Sequence, residues 1–296
     1  MSFTCLDPYV AISMFTKLDG KRILKLFSKS RLNYDLNELK ERYGQDNVFL
    51  LSCGKCESCR RNKAEDWAIR CELEAQMYPF NYFLTLTFDD QHIFNGSKYD
   101  LDSFLDRLEG TNHQNKFKYF ACQELGELTE RLHFHVILFC DFEIDLIDPV
   151  KLGGFYHYHS KLIGEKWTYG LHDIAPFKTN CARYVAKYTS KGSKLYMSRN
   201  LGKDYFLKYK DEIIKNNFKV YGDFGGRYSA HVPSCFIKWF DELDPTIAED
   251  YKKVKKDLAH YVQAENKRAL IAEHDEQELR QRQQRVIEKG NRKKRL

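Results

Sequence analysis

LHFHVILF, residues 132–139, is the stretch on which the reading of this chain turns. A β-strand repeats every two residues, so His133, His135 and Ile137 share one face while Leu132, Phe134, Val136 and Leu138 share the other. Two imidazoles therefore project side by side from an apolar, rigid element. Such a pair suits a divalent ion held by two nitrogens and one oxygen, with positions left for phosphate oxygens and water. A solvated or hydrogen-bonded histidine pair would show the same pattern, and the strand alone does not separate the two.

Upstream, FKYFACQE (117–124) reads as a partner strand, with LGELTER (125–131) as the hairpin connection. The hairpin folds Glu124 back beside the histidines as the third ligand; Gln123 points to the opposite face and is the weaker choice. NYFLTLTF (81–88) is another strand, with Leu84, Leu86 and Phe88 on one side and Phe83, Thr85 and Thr87 on the other, ended by Asp89 and Asp90. Helical spacing over residues 60–78 aligns Ala64, Trp67, Ala68, Cys71 and Ala75, and YDLDSFLDRLEG (99–110) aligns Leu101, Phe104, Leu105 and Leu108 before stopping at Gly110.

Downstream the pattern is looser. A helix is expected near residues 149–163 and a short strand around 174–177. His157 and His159 repeat the spacing of the first pair, but in a Gly- and Tyr-rich stretch with no evident apolar strand or carboxylate, so they are expected at the surface or facing DNA. His172, next to Asp173, is expected to be structural. Residues 193–245 suggest loops with one or two short strands, and from about Asp250 the composition turns to Lys, Glu, Gln and Arg, ending in NRKKRL, as in a solvated helix or frayed tail. The expected organisation is an N-terminal Cys-containing region (1–60), a catalytic domain (61–245) and a charged tail (246–296).

YVAKYTSK (184–191) forms a helix on which Tyr184, Lys187, Tyr188 and Lys191 make one stripe and Ala182, Val185, Ala186 and Thr189 the other. Thr179 or Asn180 is a suitable cap and Gly192 a suitable stop. The small apolar side packs; the tyrosine and lysine side faces a polyanion. A tyrosine delivered in line can attack a phosphodiester where a metal polarises the phosphorus, leaving a 5′-phosphotyrosine and a free 3′-OH. Its free pKa of about 10 calls for a proton acceptor, which the sequence does not identify. Lys187 is placed to hold a phosphate by charge, and a second tyrosine could cut while the first still holds DNA. Each tyrosine taken alone is also an ordinary residue of an amphipathic helix.

Cys53, Cys56 and Cys59 stand in a C-x-x-C-x-x-C array with Cys5 as a distant fourth, suited to structural zinc or to simple buried thiols. Cys71, Cys122, Cys140, Cys181 and Cys235 are expected to pack as small apolar residues.

The 296 residues, 43% hydrophobic, suffice for one large domain with additions or two domains, and exclude a disordered chain. A net charge of +6 with 19 Tyr and 21 Phe is compatible with unpaired nucleic acid without requiring it. No run approaches the roughly eighteen apolar residues of a membrane span. An odd cysteine count of nine and an N-terminus without a leader pattern favour reduced thiols in a cytoplasm. No G-x-x-x-x-G-K-[ST] loop supports an in-chain helicase.

Taken together, NYFLTLTF, RLHFHVILF and YVAKYTSK resemble the three motifs of the HUH endonucleases, in particular the rolling-circle initiators of gokushovirus-like microviruses. CGKCESCRRNKAEDWAIRCELEA, Trp167 with Gly170, and MSRNLG also resemble that subgroup, so the likeness covers roughly residues 50 to 205. It implies an α+β HUH fold with an antiparallel sheet of about five strands flanked by helices. It further implies origin nicking on the replicative form, Mg²⁺ or Mn²⁺ as the metal, later circularisation of the displaced strand, host helicase and polymerase as partners, and a bacterial cytoplasm. The implied nucleophiles are Tyr184 and Tyr188, and the implied ligands His133, His135 and Glu124. The subgroup's Gly-Glu-Tyr-Gly is replaced by Gln123, Glu124, Leu125 and Gly126, which keeps the carboxylate. The alternatives are a non-catalytic single-stranded DNA binder and an HUH transposase or relaxase.

Overall fold

A computed structural model of the chain describes residues 5–16, 22–28, 35–93, 96–110, 115–126, 131–152, 154–187, 194–224 and 228–257. Two compact units are present, Cys5–Phe236 and one that begins at Ile237.

The first unit opens with a three-stranded sheet of β1 (Tyr9–Thr16), β2 (Arg22–Ser28) and β3 (Val48–Leu51) in the order β2-β1-β3. Helix α1 (Leu36–Tyr43) carries a capping box of Asp35 and Glu38 and buries Leu39 with Val10, Ile12 and Val48.

Helix α2 (Glu57–Ala75) leads into β4 (Phe80–Phe88), α3 (Lys98–Glu109), β5 (Phe117–Leu125) and β6 (Leu132–Cys140), the elements expected from patterning. The main sheet is larger than the expected five strands. It also includes β7 (Ile147–Leu152), β8 (Phe155–His159), β9 (Gly170–Pro176) and β10 (Leu195–Met197), in the order β10-β5-β6-β4-β9-β8-β7, with every pair antiparallel. Helices cover both faces of its centre. Leu84, Leu86, Phe134, Val136 and Leu138 pack against Leu101, Phe104, Leu105 and Leu108 of α3 and Ile163 of α4 (Lys161–Lys166). Ile137 and Phe139 pack on the other side against Ala68 and Cys71 of α2 and Ala182, Val185 and Ala186 of α5 (Thr179–Lys187). Burial of each large apolar side chain contributes about 1.5–3 kcal/mol, which accounts for an apolar run in β6 unbroken after its histidines.

The helix expected near residues 149–163 is instead the β7–β8 hairpin, with only α4 helical from Lys161. Pro149 is tolerated because β7 is the edge strand, and the register breaks between Ile147 and Val150. Helix α6 (Lys203–Lys215), burying Tyr205, Phe206 and Ile213, occupies a stretch expected to be loop. It is followed by the small pair β11 (Lys219–Tyr221) and β12 (Ser229–His231).

Helix α7 (Phe236–Leu243) leads into the second unit, where Asp244 Oδ1 accepts from the Thr246 amide and hydroxyl at 2.8 Å and caps helical residues 245–257. The remainder of the expected tail, 258–296, lies outside the described residues.

Candidate metal and tyrosine site

Strand register assembles the site. Glu124 of β5 pairs with His133 of β6, which pairs with Thr87 of β4; one step along, Cys122, His135 and Thr85 form the next row. Side chains of both rows project to the face covered by α2 and α5. His135 Nε2 lies 3.1 Å from Glu124 Oε2 and 3.1 Å from His133 Nε2, and His133 Nε2 lies 3.5 Å from the same carboxylate oxygen. Donors at right angles on an ion with bonds of about 2.1 Å sit about 3.0 Å apart, so this two-nitrogen, one-oxygen set fits a small divalent cation.

The second nitrogens hold the rings in place. His133 Nδ1 lies 3.1 Å from the Arg131 carbonyl, to which it donates, leaving Nε2 as a lone-pair donor. His135 Nδ1 meets the Thr85 hydroxyl at 3.2 Å, and the Phe83 ring stacks on the imidazole at 5.4 Å. Burial, with a smaller contribution from His133, holds His135 far below its ordinary value, at about 3. Its imidazole is thus neutral at physiological pH, the form that binds metal. Glu124 is only 7% exposed, and a buried carboxylate beside two imidazoles is a setting that favours a cation.

The strand ends that carry the site are tied together. Arg131 donates to the Phe88 carbonyl at 3.1 Å and pairs with Asp90 at 2.6 Å, joining the start of β6 to the end of β4. Trp167 is fully buried and its indole N–H donates to the Thr87 carbonyl at 3.3 Å. Gly170 has φ +152°, and a Cβ there would lie 2.3 Å from the Thr87 oxygen, so only glycine lets β9 approach this point of β4.

Helix α5 sets Tyr184 above this face. Ala182, Val185 and Ala186 are buried as expected, while Tyr184 is 42% exposed. Its hydroxyl donates to Glu124 Oε2 at 3.5 Å, and its ring meets His135 edge-on at 5.1 Å and Phe83 at 6.4 Å. Arg183 on the same helix grips Glu65 of α2 through two nitrogens, at 2.8 and 3.2 Å. Thr179 does not act as the cap outside the helix: it is the first helical residue, and its hydroxyl bonds Glu72 of α2 at 2.7 Å and the Asp223 carbonyl. Lys187 is the last residue of α5 and exposed; Tyr188, Lys191 and Gly192 lie outside the described residues.

Sequence reasoning passed over Thr85 and Phe83 as site residues. The period-two alternation of β4 already put both on the histidine face, and that was the available signal. Gln123 turns to the opposite face, where it accepts from Tyr196 at 3.1 Å.

The second histidine pair corrects an expectation. His157 and His159 lie in strand β8, and His157 Nδ1 bonds the Asp173 carboxylate at 2.7 Å, so a strand and a carboxylate are both present. His172 accepts from the Ser160 amide at 3.0 Å, a structural role. Elsewhere, Cys5, Cys53, Cys56 and Cys59 converge, with one sulfur from each lying within 4.8 Å of the others. Hydrogen bonds from the backbone at Leu6 and Cys59 lower the Cys56 thiol to about 6, whereas burial pushes Cys59 up to about 12. Cys71, Cys122 and Cys140 are buried, and Cys181 and Cys235 partly so.

Residues 81–193 match the family model for the phage-type replication-associated protein ORF2, a span running from β4 to just past α5. The chain is similar to Replication-associated protein ORF2 of Spiroplasma virus 4, at 30% identity over 273 residues, covering 79% of this chain and 84% of that protein. It is 35% identical over 242 residues to Replication-associated protein VP4 of Bdellovibrio phage phiMH2K, covering 71% and 75%. With Replication-associated protein ORF4 of Chlamydia phage 1 the identity is 27% over 237 residues, covering 71% and 59%. No solved structure matches the chain.

Proposed function

The chain belongs to the ORF2 family of phage replication-associated proteins, and from that premise we propose that it is an HUH-type initiator that nicks and rejoins DNA through a tyrosine. The observation that carries this reading is the convergence of Glu124, His133 and His135 with the Tyr184 hydroxyl 3.5 Å from the carboxylate.

In this reading Glu124, His133 and His135 hold one divalent ion, Mg²⁺ or Mn²⁺. Bound there, the ion supplies Lewis-acid polarisation of the scissile phosphate. Tyr184 Oη attacks phosphorus; the P–Oη bond forms as the P–O3′ bond breaks, and the 3′ oxygen leaves to take up a proton. The tyrosine proton passes toward the carboxylate that the hydroxyl already faces. The product is a 5′-phosphotyrosine and a 3′-OH from which synthesis starts, and reversal of the same step at a second end joins the displaced strand into a circle. Tyr188 serves as the second nucleophile, four residues on, and Lys187 binds phosphate. Phe83 and His135 orient the Tyr184 ring, and Thr85 orients His135. A zinc ion on the four clustered cysteines would be structural and take no part in the transfer.

The substrate is the phage origin, single-stranded or melted, in the cytoplasm of the bacterial host, with helicase and polymerase drawn from that host. The test is incubation with supercoiled replicative-form DNA and Mn²⁺. Open circles whose single nick is extendable by a polymerase are the expected product. Binding of single strands without any nick would favour the non-catalytic reading, and nicking without origin preference would favour a transposase or relaxase.

A further inference from the structure

Cys5 precedes β1, Cys53 and Cys56 flank a tight turn, and Cys59 lies in the first turn of α2. Forty-eight residues separate Cys5 from Cys53, yet the Cys53 amide donates to Cys5 Sγ at 3.3 Å. Cys53 and Cys59 sulfurs lie 4.0 Å apart, and those of Cys56 and Cys5 3.9 Å apart. Four sulfurs bound tetrahedrally at about 2.3 Å from one ion are separated by about 3.8 Å. The cluster has the dimensions of a four-thiolate zinc site before any ion is added.

The backbone is arranged for anionic sulfur. Amides of Lys55 and Cys56 both donate to Cys53 Sγ, at 3.4 and 3.3 Å. Gly54, at φ +71° with open space around its α-carbon, makes the turn that aims them. Such N–H···S bonds favour a ligating thiolate over a packed thiol.

We propose that Cys5, Cys53, Cys56 and Cys59 together bind one structural zinc ion, with Cys5 a required ligand, and that the ion fastens the N-terminal sheet to the first turn of α2. The consequence reaches α5, because α2 is its seat through Glu65 with Arg183 and Glu72 with Thr179. The proposal is independent of the nicking reading: a zinc staple would serve a DNA-binding protein equally.

The test begins with elemental analysis of the full chain purified without added chelator, followed by zinc release with a mercurial thiol reagent and by replacement with Co²⁺. About one zinc per chain, and a cobalt spectrum of tetrahedral four-thiolate type, are expected. Cys5→Ser should weaken zinc retention by on the order of a hundredfold, at or beyond the range typical of outer-shell changes, while Cys235→Ser leaves it unchanged. If Cys5→Ser does not fold, the cobalt spectrum of the unaltered chain decides the ligand set. Absence of zinc, iron with inorganic sulfide in its place, or zinc binding indifferent to Cys5→Ser would overturn the proposal.

Discussion

The Thr85 hydroxyl sits 3.2 Å from His135 Nδ1, on the strand directly paired with the histidine strand. Fixing one imidazole nitrogen fixes the direction of the other, so a β4 side chain governs how Nε2 is presented to an ion. Thr85→Val preserves shape and β-propensity but removes this partner. Mn²⁺ affinity measured by titration calorimetry should fall about 10–100-fold, as for other outer-shell changes, with the melting temperature of the metal-free protein nearly unchanged.

Protonation of His135 makes metal-free stability depend on pH. The folded imidazole is held at about 3, first by burial and then by His133, against an ordinary value of 6.5. Between these values the unfolded chain binds the proton and the folded chain does not. This contribution is therefore complete above about pH 6.5 and is lost progressively as pH falls toward 3. The urea midpoint of the metal-free protein should drop from pH 7.5 to pH 5. His172, lowered by burial and by His159, acts in the same direction; His135→Gln should flatten the profile in part.

Gly170→Ala places a methyl group against the Thr87 carbonyl in a backbone region that side chains rarely adopt. Strain of this kind costs on the order of 1–3 kcal/mol. Urea denaturation should show that loss. Mn²⁺ affinity should also decline, because Thr87 is the cross-strand partner of His133.

Arg183 holds the tyrosine helix on α2 without touching the candidate metal ligands. Arg183→Met removes the two-nitrogen grip on Glu65 and its bond to the Phe224 carbonyl at 2.8 Å. DNA nicking should fall by an order of magnitude or more, in line with the cost of misplacing a reacting group, while Mn²⁺ affinity stays close to that of the unaltered chain. Equal losses in both would mean that α5 and the metal face are not separable.

The strands and helices around the site were legible because their apolar residues follow a clean period: two along β4 and β6, 3.6 along α2 and α3. Glu124 could be placed beside the histidines from hairpin geometry alone. The β7–β8 hairpin was hidden because an edge strand needs neither a continuous apolar run nor freedom from proline, so Pro149 and the mixed residues around it resembled a helix start. Helix α6 was obscured by tyrosines and lysines on a segment that buries only Tyr205, Phe206 and Ile213. The role of Thr85 depends on a cross-strand register that spacing within one strand does not supply. Cys5 joins the cysteine cluster through tertiary structure, which the spacing of Cys53, Cys56 and Cys59 could only suggest.

The central claim is that Tyr184 forms a covalent bond with DNA beside a bound metal. It is tested most directly by incubating the full chain with Mn²⁺ and single-stranded oligonucleotides tiling the circular genome, isolating denaturant-resistant adducts, and locating the attached nucleotide by peptide mass spectrometry. The account predicts an adduct at one sequence, with the 5′-phosphate on Tyr184 or Tyr188, that is lost on removal of Mn²⁺ and in the Tyr184→Phe, Tyr188→Phe double variant. An adduct that persists in the double variant, or none formed on any oligonucleotide by a chain that binds Mn²⁺, would contradict it.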